Sequence, residues 1–307
     1  MRSLVGLDPL EPAGGGLALA IGTFDGVHIG HRTLIARAME RAASEGWEAG
    51  VLTWDRHPAQ TLRPDKAPRL LTSAARKAEL IESLGVDLLV VLPFDEAFSR
   101  ITAGDFAGDV LAKRLGIDAV LVGPGWRFGH GRAGDMSLLR RSGEELGYEA
   151  VEVEAVEVDG EVVSSSRTRK AVAAGDLATA RALLGRPFDI DGEVLTGDGR
   201  GRQLGIPTAN LAVVEGLATP PLGVYAGRAR VRDAWYLAAT NIGVNPTFGG
   251  DQVRIETYVL DFDADIYGEQ IRVEFHERLR DEERFENVAD LVAQIHDDIA
   301  RTRKLLT

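Results

Sequence analysis

The chain has 307 residues, 45% of them hydrophobic and 27% charged, the balance of a globular protein long enough to hold two domains with separate cores. It has no cysteine, which excludes disulfides, thiolate catalysis and sulfur-ligated zinc, and its net charge of −12 works against a general nucleic-acid surface. No stretch approaches the roughly 20 continuous apolar residues of a membrane span and no basic-then-apolar leader opens the chain, so neither nucleic acid nor membrane is an expected partner and the cytoplasm is the expected location.

The first element is the short apolar run 17–21, which predicts a strand. Leu34, Ile35, Ala38, Met39 and Ala42 then repeat at three- and four-residue spacing, as a helix with one buried face requires. Between them lies Gly22-Thr23-Phe24-Asp25-Gly26-Val27-His28-Ile29-Gly30-His31, a glycine-rich turn ending in His-x-Gly-His. At such a strand-to-helix junction the unpaired backbone N–H groups and the positive end of the helix dipole favour an anion, and glycines let a phosphate approach the backbone. Two imidazoles at i and i+3 add donors on one side of the helix. Either histidine alone reads as a cap or a packing residue; both inside this glycine pattern read as a nucleotide triphosphate site.

Residues 49–54 read as a second strand and 57–68 as a proline-interrupted connector. A helix over 73–84, a strand over 88–92, a helix over 105–115 and a strand over 119–122 follow. This alternation predicts parallel β-α-β units, whose strand C-termini converge on the edge where open α/β sheets bind ligands. A second glycine-rich run, Gly123-Pro124-Gly125-Trp126-Arg127-Phe128-Gly129-His130-Gly131-Arg132-Ala133-Gly134-Asp135, sits at that same edge. It suits wrapping a planar ring and pairing with phosphate, and equally suits a loop without a ligand. Ser164-Ser165-Ser166-Arg167-Thr168-Arg169-Lys170 opens the next helical stretch. Hydroxyls and guanidinium groups there form a phosphate grip, or else a helix cap followed by solvated basic residues. The helical stretch 167–184 is read as a connector, with Gly185-Arg186-Pro187 as the boundary between domains 1–186 and 187–307.

Beyond it the rhythm changes. Apolar segments at 189–195, 223–231, 236–242, 254–260 and 271–275 are separated by Gly, Pro, Asn and Asp clusters, which predicts an antiparallel sheet closed into a small barrel. Val288, Leu291, Val292, Ile295 and Ile299 then mark an amphipathic helix packed on that barrel. Thr208 and Asn210 stand at i and i+2 after Leu204-Gly205-Ile206-Pro207, so that a hydroxyl and an amide oxygen face one side and suit a Mg²⁺ ion shared with phosphate, or else are polar residues of a sheet edge. Glu256, a carboxylate among apolar strand residues, suits a general base if it faces the barrel mouth and a solvated surface residue otherwise.

These ordered motifs resemble the prokaryotic bifunctional riboflavin kinase/FAD synthetase family over nearly the whole chain. Gly22 to His31 resembles its nucleotidyltransferase signature. Ser164 to Arg169 resembles its Ser-Ser-Thr-x-x-Arg partner, with Ser166 in place of Thr. Leu204 to Asn210, Gly223-Val224-Tyr225-Ala226, Asn241-Ile242-Gly243-Val244-Asn245-Pro246-Thr247-Phe248, Leu260-Asp261-Phe262 and Arg280 to Phe285 resemble successive kinase motifs. The resemblance implies an α/β nucleotidyltransferase with a Rossmann-like parallel sheet of the His-x-Gly-His type, then a small antiparallel β-barrel kinase with a C-terminal helix. The substrates it implies are ATP, riboflavin and FMN, and the cofactor is Mg²⁺. In the first half, His28 and His31 would stabilise the triphosphate while Gly22, Phe24, Asp25, Gly30, Ser164, Ser165, Arg167 and Arg169 bind ATP and phosphate. In the second, Gly199, Gly205, Thr208 and Asn210 would bind ATP, Thr208 and Asn210 would hold the metal and Glu256 would be the base. Phe128 and Arg280 would contact the flavin. Three positions depart from the family pattern: Gly125 replaces Asp or Asn, Arg56 replaces a proline, and Tyr258 replaces the His two positions after Glu256. Gly125 and Arg56 motivate an alternative, a kinase with a weakened or altered nucleotidyltransferase half; a flavin or nucleotide sensor without turnover is an alternative of another class.

Overall fold

A computed structural model describes residues 1–8, 10, 15–196, 205–247 and 250–307; Gly199 and Phe248 lie outside the described residues. The chain divides into two compact units, residues 1–70 with 74–165, and residues 71–73 with 166–307.

The first unit is built on strands β1 (Arg2–Val5), β2 (Leu17–Ile21), β3 (Glu48–Trp54), β4 (Leu88–Leu92), β5 (Ala119–Val122) and β6 (Glu149–Glu152). All neighbours pair in parallel in the order β1-β4-β3-β2-β5-β6. β2 is buried at all five residues and alternates large and small. Leu17, Leu19 and Ile21 point into one core, and Ala18 and Ala20 into a second, where Leu34, Ile35, Ala38 and Ala42 of helix α1 (Ile29–Glu45) pack close. Met39, expected in that buried stripe, is only half-buried. Helices α2 (Ala74–Glu82) and α3 (Met136–Leu146) also flank the sheet, and β7 (Glu157–Val158) and β8 (Glu161–Val162) form a hairpin. The strand order reverses between β2 and β5, so the His-x-Gly-His turn and the 123–135 loop leave the sheet at its switch point. The helix expected over 105–115 is a short α turn, Ala103–Asp105, continued by a π-helix, Phe106–Arg114.

The second unit takes in α4 (Ser165–Ala174) from its second residue and α5 (Leu177–Leu184), where the sequence pattern predicts one helix. Gly175, at φ 73°, breaks it, and the Asp176 carboxylate accepts from Thr179 N at 3.0 Å to start α5. Ala171, Val172, Leu177, Ala180 and Leu184 share one core with the barrel strands. The barrel is closed and antiparallel, in the order β10-β13-β12-β11-β14-β9, from β9 (Phe188–Leu195), β10 (Ala209–Val213), β11 (Gly223–Val231), β12 (Ala234–Thr247), β13 (Gly250–Val259) and β14 (Gln270–Arg280). Register shifts between β11 and β14 let the barrel turn, and at Gly227 a Cβ would lie 1.8 Å from the Glu274 carbonyl oxygen.

Helix α6 (Val288–Leu306) follows, and its buried stripe differs from the predicted one. Val288 is 58% exposed, and Leu291, Val292, Ile295 and Ile299 are half-buried, whereas the fully buried positions are polar, Asp298 and Thr302. The physical reason is Arg280. Its guanidinium grips the Asp298 carboxylate from β14, at 2.9 Å from Nη2 to Oδ2, with Gln294 donating to Oδ1 at 3.2 Å. A charged pair, rather than an apolar ridge, thus forms the innermost contact of this helix.

Candidate active sites

In the first unit the signature turn is held open by unusual backbone. Phe24 and Val27 take φ of 49° and 41° and Gly26 takes 82°, while the Phe24 carbonyl accepts from Val27 N at 3.1 Å. Non-glycine residues at positive φ are costly and are found where surrounding structure enforces them. Phe24, fully buried, packs edge-on against His31 at 5.1 Å. His28 caps α1, its Nδ1 accepting from His31 N at 3.2 Å, and the two imidazoles stack at 3.6 Å with 12° between planes. Gly30 makes room for this, since a Cβ there would press on the His28 ring at 3.3 Å.

The His31 ring is half-buried with its Nδ1 inaccessible and without a hydrogen-bond partner. Burial first, and then repulsion from His28 and Lys77, holds its pKa well below the ordinary imidazole value. His31 is therefore a neutral imidazole near pH 7 in the absence of a bound anion. Asp25 is buried, and its carbonyl accepts from Ser165 Oγ at 2.9 Å, which brings the serine cluster to the signature turn. Ser164 is half-buried beside it in the sequence, and Gly22 donates its N–H to Leu52 O at 3.1 Å. Arg167 and Arg169 belong to the second unit, where Arg169 donates to Ser166 Oγ at 3.2 Å.

The 123–135 loop places its aromatics inward. Phe128 is 6% exposed, stacked on Trp126 at 4.7 Å and tilted against Phe106, with main-chain bonds between Phe128 and Gly134 closing the loop. Trp126 is the half-buried, partly open ring of this pair. Gly125 takes φ 64°, has open space where a side chain would begin, and donates its N–H to Glu152 at 2.9 Å. This is left-handed backbone, which Gly, Asn and Asp adopt at least cost. Arg56 forms an ion pair with Asp55 at 3.0 Å, and Asp55 in turn accepts from Phe94 N at 2.8 Å.

In the second unit the site lies on the outer face of the barrel sheet. Ile255 and Thr257 are buried on the core side, with Thr257 hydrogen-bonded to Thr240, so the alternate residues Arg254, Glu256 and Tyr258 face outward. The register sets Glu256 directly between Asn210 of β10 and Asn241 of β12. All three line a cavity of about 750 Å³ together with Thr208, Arg254 and Tyr258. Leu291 and Ile295 of α6 and Arg280 with Asp298 line it too. Arg280 is engaged with Asp298, donates to the Asp281 carbonyl at 3.1 Å and lies over the Phe285 ring at 5.7 Å. Gly205, at φ 73°, stands at the start of the described segment leading to Thr208. Asn241, Asp298 and Lys77 were not singled out as site residues from sequence. Asn241 belongs to the kinase-like motif 241–248, but its place opposite Glu256 follows from strand register, which the sequence does not display.

The matches to known proteins follow this division. The family model described as FAD synthetase matches residues 11–167, and the one described as riboflavin kinase matches residues 184–306. A bifunctional riboflavin kinase/FMN adenylyltransferase from Pseudomonas fluorescens is 37% identical over 306 residues, covering 99% of this chain and 98% of the relative. This chain belongs to the bifunctional riboflavin kinase/FMN adenylyltransferase family. Another family member, from Escherichia coli K12, is 36% identical over 94% of this chain and 92% of its own length. A solved structure described as a macrolide-efflux protein from Streptococcus pneumoniae matches the fold across 99% of both chains, with a TM-score of 0.87 and 29% identity. Among the described residues, no helix is long and apolar enough to cross a membrane. The FAD synthetase match falls on the six-stranded parallel sheet, and the riboflavin kinase match on the closed six-stranded antiparallel barrel with its C-terminal helix.

Proposed function

We propose that this chain phosphorylates riboflavin with ATP to give FMN, and then joins FMN to the adenylyl group of a second ATP to give FAD and pyrophosphate. The observation that carries the reading is that each matched half holds a built polar site of its own: the stacked His28–His31 pair in one, and Glu256 between Asn210 and Asn241 in the other.

In the kinase half, Glu256 accepts the proton of the riboflavin hydroxyl as that oxygen attacks the γ-phosphorus of ATP and the bond to ADP breaks. Asn210 and Asn241 flank the carboxylate and orient it and the incoming hydroxyl. Thr208 and Asn210 would hold Mg²⁺; their neutral oxygens, with a carboxylate on the adjacent strand and all three lining one cavity, form a hard-oxygen set suited to an ion whose remaining ligands are phosphate and water. When bound, Mg²⁺ neutralises charge on the transferring phosphoryl group. Gly205 opens the described segment leading to Thr208 and would admit the nucleotide phosphates close to the backbone, and Arg280 would shape the flavin end of the cavity through its grip on Asp298.

In the adenylyltransferase half, an FMN phosphate oxygen attacks the α-phosphorus of ATP and the bond to pyrophosphate breaks. The N-terminus of α1, with His28 and His31, stabilises the triphosphate as charge develops on the leaving group, and Gly22, Phe24, Asp25 and Gly30 shape the turn that receives it. Ser164 and Ser165 supply further phosphate donors. Trp126, backed by buried Phe128, is the ring of the 123–135 loop available to a flavin. Gly125, which has no side chain to hydrogen-bond an acceptor, favours a second reading in which adenylyl transfer is the slower activity. Incubating the protein with riboflavin, ATP and Mg²⁺ and resolving the flavins by chromatography tests both readings. FMN followed by FAD is expected, FMN alone supports the second reading, and absence of FMN sinks the kinase assignment.

A further inference from the structure

A half-buried lysine lies under the signature turn with no part in the chemistry described above. Lys77 projects from α2, and its Nζ donates to Trp54 O at 2.9 Å, to Thr53 Oγ1 at 3.0 Å and to Thr23 O at 3.3 Å. Thr53 Oγ1 itself donates to Thr23 O at 3.1 Å. Three acceptors match the three N–H donors of an ammonium group. Two come from the C-terminal end of β3, and the third is the carbonyl of the second residue of the signature turn, two residues before buried Asp25. Drawing a cation partly out of water is costly, and a neutral side chain would avoid that cost. The fold nevertheless keeps one at the root of the turn that presents its histidines.

We propose that Lys77 is a positioning residue for adenylyl transfer: its ammonium anchors the Thr23 carbonyl and so sets the turn that presents His28 and His31. The charged groups around it agree. Asp25 on the turn and Asp55 at the end of β3 attract the ammonium, Asp55 being itself paired with Arg56. From the start of α1, His31, stacked on His28, shares the field of Lys77, which helps hold the His31 imidazole neutral. Desolvation outweighs the two carboxylates and brings the Lys77 pKa down to about 8, so the anchor loses its charge just above neutral pH.

The inference rests on the assignment of His28 and His31 to the ATP phosphates, and the test separates the two. FAD formation from FMN and ATP is measured from about pH 6 to about pH 10 for the wild type, Lys77→Met, Lys77→Arg and His31→Ala, with FMN formation from riboflavin followed in the same preparations. Lys77→Met should lower FAD formation about tenfold or more at neutral pH while FMN formation stays within about twofold. The wild-type adenylyl transfer rate should fall on the alkaline side with a midpoint near 8, and this limb should be absent in Lys77→Met. Lys77→Arg, whose charge persists, should exceed Lys77→Met and lose the limb as well. The His31 imidazole, followed by NMR, should titrate at higher pH in Lys77→Met. Wild-type FAD formation in Lys77→Met overturns the inference. So does a loss of rate that leaves both the alkaline limb and the His31 titration unchanged, which would mark a merely structural role. Full FAD formation by His31→Ala would instead remove the site assignment on which the inference stands.

Discussion

The two candidate sites are built on opposite plans. The His28–His31 site is made within ten consecutive residues, by a turn that puts Phe24 and Val27 at positive φ and caps a helix with one imidazole while stacking the other on it. The Glu256 site is made by register: Asn210, Glu256 and Asn241 come from three strands and meet because β10, β13 and β12 pair at one offset. A site compressed into one turn depends on local backbone and on the groups that hold it from below. A site spread over a barrel depends on every strand pairing around it, since a one-residue slip of β13 would turn Glu256 into the core and Thr257 out.

Variants that silence one site and spare the other would sharpen this contrast. The largest effect is expected for Glu256→Gln, which keeps the shape and removes the base: FMN formation should fall by about 10²- to 10⁴-fold while FAD formation from supplied FMN persists. If FMN formation survives, Glu256 is not the base. Asp298→Asn breaks a buried pair with Arg280 on the wall of the barrel cavity. Breaking such a pair costs about 3–5 kcal/mol, to be read as an earlier unfolding transition in thermal scanning, together with loss of FMN formation. An unshifted transition would show that α6 is held by its half-buried apolar residues after all.

His28→Ala removes both a helix cap and one ring of the stacked pair. FAD formation should drop by about 10²-fold or more, with a stability cost of about 1 kcal/mol and FMN formation intact. Parallel losses in both activities would mean that the sites are not separable in this way. A pH series on stability gives an effect whose sign is fixed. The folded chain holds the Lys77 proton less tightly than the unfolded chain, so between about 8 and the ordinary lysine range the unfolded state binds more protons. Stability should therefore rise with pH across that window, by on the order of 3 kcal/mol relative to Lys77→Met. A flat difference between the two proteins in denaturant titrations would place the ammonium in a more solvated setting. The smallest effect is expected for Gly125→Asn. Left-handed backbone and open space admit the side chain for less than about 1 kcal/mol, and FAD formation should rise several-fold if the missing amide is what slows the acceptor side. An unchanged rate would remove the structural motive for a weakened adenylyltransferase.

Legibility in the sequence followed the same divide. The strands at 17–21, 88–92 and 119–122 and the start of α1 were readable because apolar runs and helical periodicity are local. The turn between them was readable because glycines and histidines crowd ten positions. The break at Gly175 and the π-helix at Phe106–Arg114 were not, since one glycine inside a helical pattern carries little weight and a π-helix leaves no distinct spacing. The family resemblance implies that Phe128 contacts the flavin. The fold buries it behind Trp126, because main-chain bonds between Phe128 and Gly134 fold the loop onto Phe106.

By itself the sequence determined the alternation of strands and helices in the first half, the change to a barrel in the second, and the motif order that marks the family, because each is written in neighbouring residues. Tertiary structure alone decided that Asn241 stands beside Glu256, that Asp298 rather than the apolar stripe anchors the last helix, and that Lys77 reaches under the histidine turn. These pairings join residues 15 to 54 positions apart, and only strand register and the burial of charge bring such groups together.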